Sequence, residues 1–223
     1  MRVELSWRRE GGARLPAALW RAGPGYLMMS SGVFGGGFGP RRWVLNAQVP
    51  AGYARTDPAA HLRELAGGLG LAGPGVGMLT AARVTEVAQA EDEGVHAAAT
   101  AGLRVPTWAA APPGGPRAAA AAGGPAPPGT INLIVVLPVP LAGAAFVNAV
   151  VTATEAKAQA VLDAGFAATG TASDAICVAA PLGAGREQFA GPRSRWGARI
   201  ARAVHAAVLA GARAYAGLPG GMR

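Results

Sequence analysis

The chain has 223 residues, 51% apolar and 14% charged, a balance that excludes an intrinsically disordered protein and suffices for one well-buried core. Its formal charge of +8 raises the question of an anionic partner, but the basic residues are scattered, and Lys157 is the only lysine among them. Their densest group, Arg193, Arg195, Arg199 and Arg202, has no basic–aromatic motif around it, so we read a basic surface and no nucleic-acid partner.

Cys177 is the one cysteine, which excludes an intrachain disulfide, and its apolar neighbours make it a small buried hydrophobe. His61, His96 and His205 lack zinc-ligand spacing, so no metal held by the protein is expected.

In chain order, residues 1–24 read as a variable N-terminal lead-in without the uninterrupted apolar stretch of an export signal, which favours a cytoplasmic location. Candidate strands at 26–33 and 42–49 flank the glycine-rich turn Gly35-Gly36-Gly37-Phe38-Gly39-Pro40. That turn lacks a placed Gly-x-Gly-x-x-Gly opening into a helix, since Arg42-Trp43-Val44-Leu45 is extended sequence. A hairpin, or a backbone surface for a large ligand, fits better.

Asp57 and Pro58 predict a helix over 57–66, and Thr80 caps a second running to about Glu91. A strand is expected at 95–103. Residues 109–129, rich in Ala, Pro and Gly, read as a surface loop that divides the sequence without dividing the fold.

Ile131 to Leu137 is the clearest buried strand. The apolar run 131–151 is no membrane span, because Pro138, Pro140 and Gly143 break it and Asn132 and Asn148 would need partners in lipid. A helix follows over 144–164, ending at Gly165, then an apolar strand within 166–179, ending before Pro181. A last helix covers 194–215 with Ser194 as cap. The pattern is that of an α/β protein: one domain over 25–218 with a mixed sheet and helices packed on it, the order of the strands left open. Thr80-Ala81-Ala82 before Gly94 echoes Thr152-Ala153-Thr154 before Gly165, which a duplicated unit or coincidence in an alanine-rich chain explains equally well.

On the 144–164 helix, Asn148, Thr152 and Glu155 fall within one sector that Gln159 extends, and the opposite side carries Phe146, Val147, Val150 and Val161. Asn and Thr are weak helix formers, so this polar stripe is expected to line a site. Lys157 lies well around the helix from Glu155 and cannot pair with it. Before the next strand, Asp174 is open to two readings: it orients a partner or acts as a base, or it hydrogen-bonds its own turn.

The ordered motifs resemble a known family. Asn148-Ala149-Val150-Val151-Thr152-Ala153-Thr154-Glu155-Ala156-Lys157 is the most specific, with Gly129-Thr130-Ile131-Asn132, Gly170-Thr171-Ala172-Ser173-Asp174-Ala175, and Phe189-Ala190-Gly191-Pro192 with Trp196-Gly197. The first half adds Ser30-Ser31-Gly32, Asn46-Ala47-Gln48-Val49 and Val76 to Ala82. Together they resemble the adenosylcobinamide amidohydrolase family over roughly residues 25–210.

The resemblance implies a corrinoid small-molecule substrate whose propionate–aminopropanol amide is hydrolysed to adenosylcobyric acid and 1-amino-2-propanol. Cobalt would arrive within that substrate, with no cofactor bound by the protein itself, and self-association is left open. The expected catalytic residues are Glu155, Asp174 and, if the strand-to-helix turn brings it inward, Lys157. Substrate contacts are expected from Ser31, Gly32, Asn46, Thr80, Asn132, Asn148, Thr152, Thr171 and Ser173. Thr152, Thr154, Thr171 and Ser173 stand unranked as nucleophiles, and nothing points to a Ser-His-Asp set. A corrinoid-binding protein without hydrolytic activity is the alternative.

Overall fold

The computed structural model describes residues 1–112 and 129–217, so most of the Ala/Pro/Gly loop expected at 109–129 lies outside the described residues. Glu4–Glu10 (β1) and Ala13–Ser30 (β2) form a hairpin in register from Glu4↔Leu19 to Glu10↔Ala13. Its two-residue turn, Gly11-Gly12, has φ of 55° and 80°, the left-handed conformations that tight hairpins demand and glycine supplies. The expectation of a lead-in over residues 1–24 is therefore corrected: Leu15 to Trp20 are buried core.

Past an irregularity between Arg21 and Tyr26, β2 continues to pair with Gly37–Gln48 (β3) on one side and Ala175–Pro181 (β8) on the other. The glycine-rich segment between β2 and β3 is the predicted hairpin. Helix Pro58–Gly68 (α1) follows, with Pro58 in its first turn, and Val76–Thr80 (β4) returns parallel to β3.

The helix expected from Thr80 to Glu91 does not form. Thr80 Oγ1 accepts the Ala82 N–H at 3.0 Å, closing a local turn. A 3₁₀ turn, Val84–Glu86, leads into strand Ala88–Asp92 (β5). Glu93-Gly94, with φ of 43° and 90°, turns β5 back onto Val95–Ala101 (β6).

Ile131–Val136 (β7), helix Gly143–Asp163 (α2), β8 and helix Arg195–Gly217 (α3) complete the chain. Ser194 caps α3 as expected, accepting the Gly197 N–H at 3.0 Å. The strand expected within 166–179 starts only at Ala175, because Thr171 to Asp174 are tied into a turn. It also includes Pro181, paired with Tyr26.

The eight strands form one mixed sheet ordered β4-β3-β2-β8-β7-β6-β5, with β1 beside β2, so the architecture is the expected single α/β domain. The order repeats itself. The units β1-β2-β3-α1-β4 and β5-β6-β7-α2-β8 share two antiparallel pairings, a crossover helix and a parallel return, and they join through β2 and β8. The echo in the sequence does not mark this duplication, since Thr80 ends β4 whereas Thr152 sits inside α2.

The sheet coils, giving three apolar layers. Its inner face packs Trp20, Met28, Val44, Met78, Ile134 and Cys177 from both halves. The outer face of the first half lies under α1 through Leu19, Trp43, Leu45 and Leu62. The outer face of the second half lies under α2 and α3, where Ala145, Ala149, Ala153, Ala156 and Ala160 let the helices sit close. Among the described residues, no helix is long and apolar enough to cross a membrane.

Candidate active site

Where the coiled sheet brings its halves together, two asparagines meet. Asn46 of β3 donates Nδ2 to Thr100 Oγ1 of β6 at 2.9 Å and accepts from Asn132 Nδ2 of β7 at 2.8 Å. Asn132 Nδ2 also donates to the Leu79 carbonyl at 3.0 Å, leaving its Oδ1 buried without a partner. Both partners of that nitrogen are acceptors, which fixes the amide orientation. Unpaired acceptors of this kind are costly in a core and common beside binding sites.

Next to this junction is a cavity of about 300 Å³. Ser31 at the end of β2, Thr80 at the end of β4, Thr130 and Asn132 at the start of β7, and Ser173 and Asp174 before β8 supply much of its polar lining. Val33, Val49, Met78 and Leu79 are among its apolar walls. Ser31 Oγ accepts the Ile176 N–H at 3.1 Å, as Thr80 Oγ1 accepts that of Ala82. Each hydroxyl proton is then directed to another acceptor, which suits a ligand carbonyl. Ser173 Oγ donates to the Gly129 carbonyl at 3.2 Å, so Thr130 donates to Ser173 across 2.7 Å.

Asp174 lines the cavity but is heavily engaged. Oδ1 accepts the Ile131 N–H at 2.8 Å and the Thr171 hydroxyl; Oδ2 accepts the Thr171 N–H at 3.1 Å and Lys157 Nζ. A carboxylate has about four acceptor sites, and all are used. The geometry favours the reading in which Asp174 holds its own turn, and it adds Lys157. That side chain reaches inward from α2, with side-chain exposures of 9% and 10% for Lys157 and Asp174, dry enough for the pair to be strongly coupled. Gly170 closes over them, where an added Cβ would collide with both charged atoms.

The opposite wall carries groups that sequence reasoning missed. Tyr53 lines the cavity, and its hydroxyl lies 3.0 Å from His61 Nδ1, with the two rings stacked at 5.5 Å between centroids. His61 is buried near the start of α1, and its Nε2 is 3.3 Å from Glu10 Oε1 on β1. Arg8 holds the other oxygen of Glu10 at 2.7 Å. Burial pushes the Tyr53 phenol above its ordinary range, with Arg55 opposing, so its hydroxyl keeps its proton. Glu10 falls within the stretch expected to be a lead-in, and the Tyr53–His61 spacing matches no recognised motif.

The structure thus gathers Ser31, Thr80, Asn132, Ser173 and Asp174 around one cavity, with Asn46, Lys157 and Thr171 bonded directly behind them. Four predicted residues lie elsewhere. Gly32 is packed against Val76 and Gly77, Thr152 donates to the Ala190 carbonyl at 2.9 Å, Asn148 is half-buried on α2, and Glu155 is exposed. The stripe from Asn148 to Glu155 does not line the cavity because alanines make the face of α2 that packs on the core. Val147, expected on that inner face, is 52% exposed. Thr154 donates to the Val150 carbonyl of its own helix.

Residues 3–220 match the model of the family described as adenosylcobinamide amidohydrolase. A protein of that name from Methanosarcina mazei is 30% identical over 185 residues, covering 79% of this chain and 85% of the relative. A second of that name, from Halobacterium salinarum, is 40% identical over 117 residues, or 52% of this chain and 49% of the relative.

Proposed function

The chain belongs to the adenosylcobinamide amidohydrolase family, and from that premise we propose that it hydrolyses the amide joining a corrin propionate arm to aminopropanol, releasing adenosylcobyric acid and 1-amino-2-propanol. The observation that carries this reading is the cavity at the junction of the two halves. At about 300 Å³ it sits at the small end of ligand pockets, so it admits a side-chain arm while the corrin ring stays outside. Val33, 52% exposed on the lip, offers the ring an apolar surface.

Within the cavity, the Ser31 and Thr80 hydroxyls are placed to donate to the amide oxygen as charge develops on it. Asn132 lines the same space, with its side-chain oxygen buried behind the cavity surface. The Lys157–Asp174 pair holds the β7–β8 wall in position rather than exchanging protons with the substrate.

Cobalt then enters as part of the substrate. With no metal expected to be held by the protein itself, turnover is expected to survive EDTA unchanged. We place the reaction in the cytoplasm, a setting that suits the free thiol of Cys177. The basic residues behind the +8 charge are dispersed along the chain, which favours a small-molecule partner over nucleic acid.

The test is incubation of the pure protein with adenosylcobinamide, with products resolved by liquid chromatography and mass spectrometry. Adenosylcobyric acid and aminopropanol in equal amounts are expected. Unchanged substrate that remains bound would overturn hydrolysis in favour of a corrinoid-binding role.

A further inference from the structure

Amide hydrolysis must move a proton from the attacking water to the departing amine, whatever else it does. Among the described residues, Tyr53 and Asp174 are the titratable groups lining the cavity. Asp174 already accepts four hydrogen bonds, so taking a proton there would forfeit charge-assisted bonds to Lys157 and to backbone N–H groups. Tyr53 stands on the other wall and is wired to a second titratable group at 3.0 Å.

We propose, resting on the amide-hydrolysis reading above, that Tyr53, His61 and Glu10 form the proton shuttle of this reaction. His61 Nε2 lies 3.3 Å from Glu10 Oε1, a charge contact that favours the proton on Nε2. Nδ1 is then the acceptor of the Tyr53 hydroxyl. As water attacks the amide carbon, its proton passes to the Tyr53 oxygen while the phenol proton passes to His61 Nδ1. The resulting imidazolium is balanced by Glu10.

When the C–N bond breaks, both transfers reverse. The phenol proton goes to the amine nitrogen as Nδ1 returns its own proton to the Tyr53 oxygen. The water is consumed, the acid and the amine leave, and all three side chains are restored. Tyr53 is the catalytic residue of the set, since it meets the reacting atoms, while His61 and Glu10 act through it as positioning residues.

The surroundings fit this task. His61 is 3% exposed, so the relay is shielded from bulk water, while Glu10, at 28% side-chain exposure, reaches the surface. Arg8 fixes the Glu10 carboxylate and so presents the other oxygen to His61. The remaining charged groups around Tyr53 and His61 are Arg55, Asp57 and Glu64, where Arg55 bridges both carboxylates and one negative charge is left over.

The experiment compares wild type, Tyr53→Phe and His61→Gln on adenosylcobinamide across pH, with melting temperature and corrinoid binding recorded by visible absorbance. Tyr53→Phe is expected to lower kcat by about 10²-fold or more at nearly unchanged KM, the scale of a lost general acid–base group. In wild type, kcat falls at acid pH, where a protonated imidazole no longer accepts the phenol proton, and His61→Gln abolishes that limb of the profile. A Tyr53→Phe protein that folds, binds and turns over within about threefold of wild type overturns the shuttle alone. So does a His61→Gln protein that is slower but keeps the acid limb. Wild type that binds without turnover overturns the hydrolysis reading and the shuttle with it.

Discussion

In the first half of the molecule, α1 buries His61, Leu62 and Ala66 of its eleven residues, and α1 is the half's one helix. In the second, α2 buries nine of its twenty-one residues and α3 packs beside it on the same sheet face. The strands follow the same plan in both, so the difference lies in how firmly each half is clamped. The lightly covered half carries Tyr53, His61 and Glu10, whose protons can move. The heavily covered half carries Lys157 and Asp174, whose donors and acceptors are committed. One topology, used twice, supplies one wall of the cavity built for proton transfer and another whose polar groups are fully bonded.

The largest blow to this contrast comes from the fixed wall. Lys157→Met leaves Asp174 buried without its counter-ion, and loss of one member of such a pair costs about 3–5 kcal/mol. Adding Asp174→Asn removes the stranded charge, so the double variant is expected to regain much of that loss. Urea denaturation of the two single variants and the double one reads this directly. Additive losses would mean that the pair is not coupled and that the wall owes its rigidity to alanine packing.

A smaller effect is expected at the seam. Asn46→Ala removes both the bond to Thr100 and the bond from Asn132, leaving buried polar groups unpaired at a cost of about 1–3 kcal/mol. A double-mutant cycle with Asn132→Ala should give a coupling energy above about 0.5 kcal/mol. No coupling would mean that the asparagine pair adds nothing to the β2–β8 pairing and the shared inner-face packing. Cys177, on the inner face between them, sharpens the same point. Burial pushes its thiol up to about 12, so it should react with a thiol reagent near neutral pH only when the sheet opens.

Much of this was legible in the sequence, for reasons that can be named. Ile131 to Val136 is apolar on both faces apart from Asn132 because it is central in the sheet, between β6 and β8, and covered on both sides. The ends of α2 follow from its apolar run and Gly165. The short hairpins were not legible. Gly11-Gly12 and Glu93-Gly94 turn strands whose apolar content is too low to announce a strand, since β1 and β5 lie at sheet margins. In the cavity, the motif residues Ser31, Thr80, Asn132, Ser173 and Asp174 were found because they sit at strand ends, whereas the Tyr53–His61–Glu10 set joins a loop, a helix start and a strand far apart in sequence.

Glu155 is the sharpest case of a motif residue that lies away from the described cavity lining. Helical periodicity groups it by angle with Asn148 and Thr152, yet Thr152 is buried while Glu155 is exposed, because periodicity alone does not say where the packed face ends. In an ordinary helix the branched residues would decide it. In α2 the close approach of the sheet and α3 selects the alanines, so Val147 and Val151 face outward at 52% and 48% exposure, and Glu155 is exposed as well. Glu155→Gln is therefore expected to change stability by less than about 0.5 kcal/mol, the range of surface substitutions, and to leave kcat on adenosylcobinamide unaltered. A kcat loss approaching that of Tyr53→Phe would mean that α2 turns a different face to the substrate, and would return the proton chemistry from the lightly packed half to the clamped one.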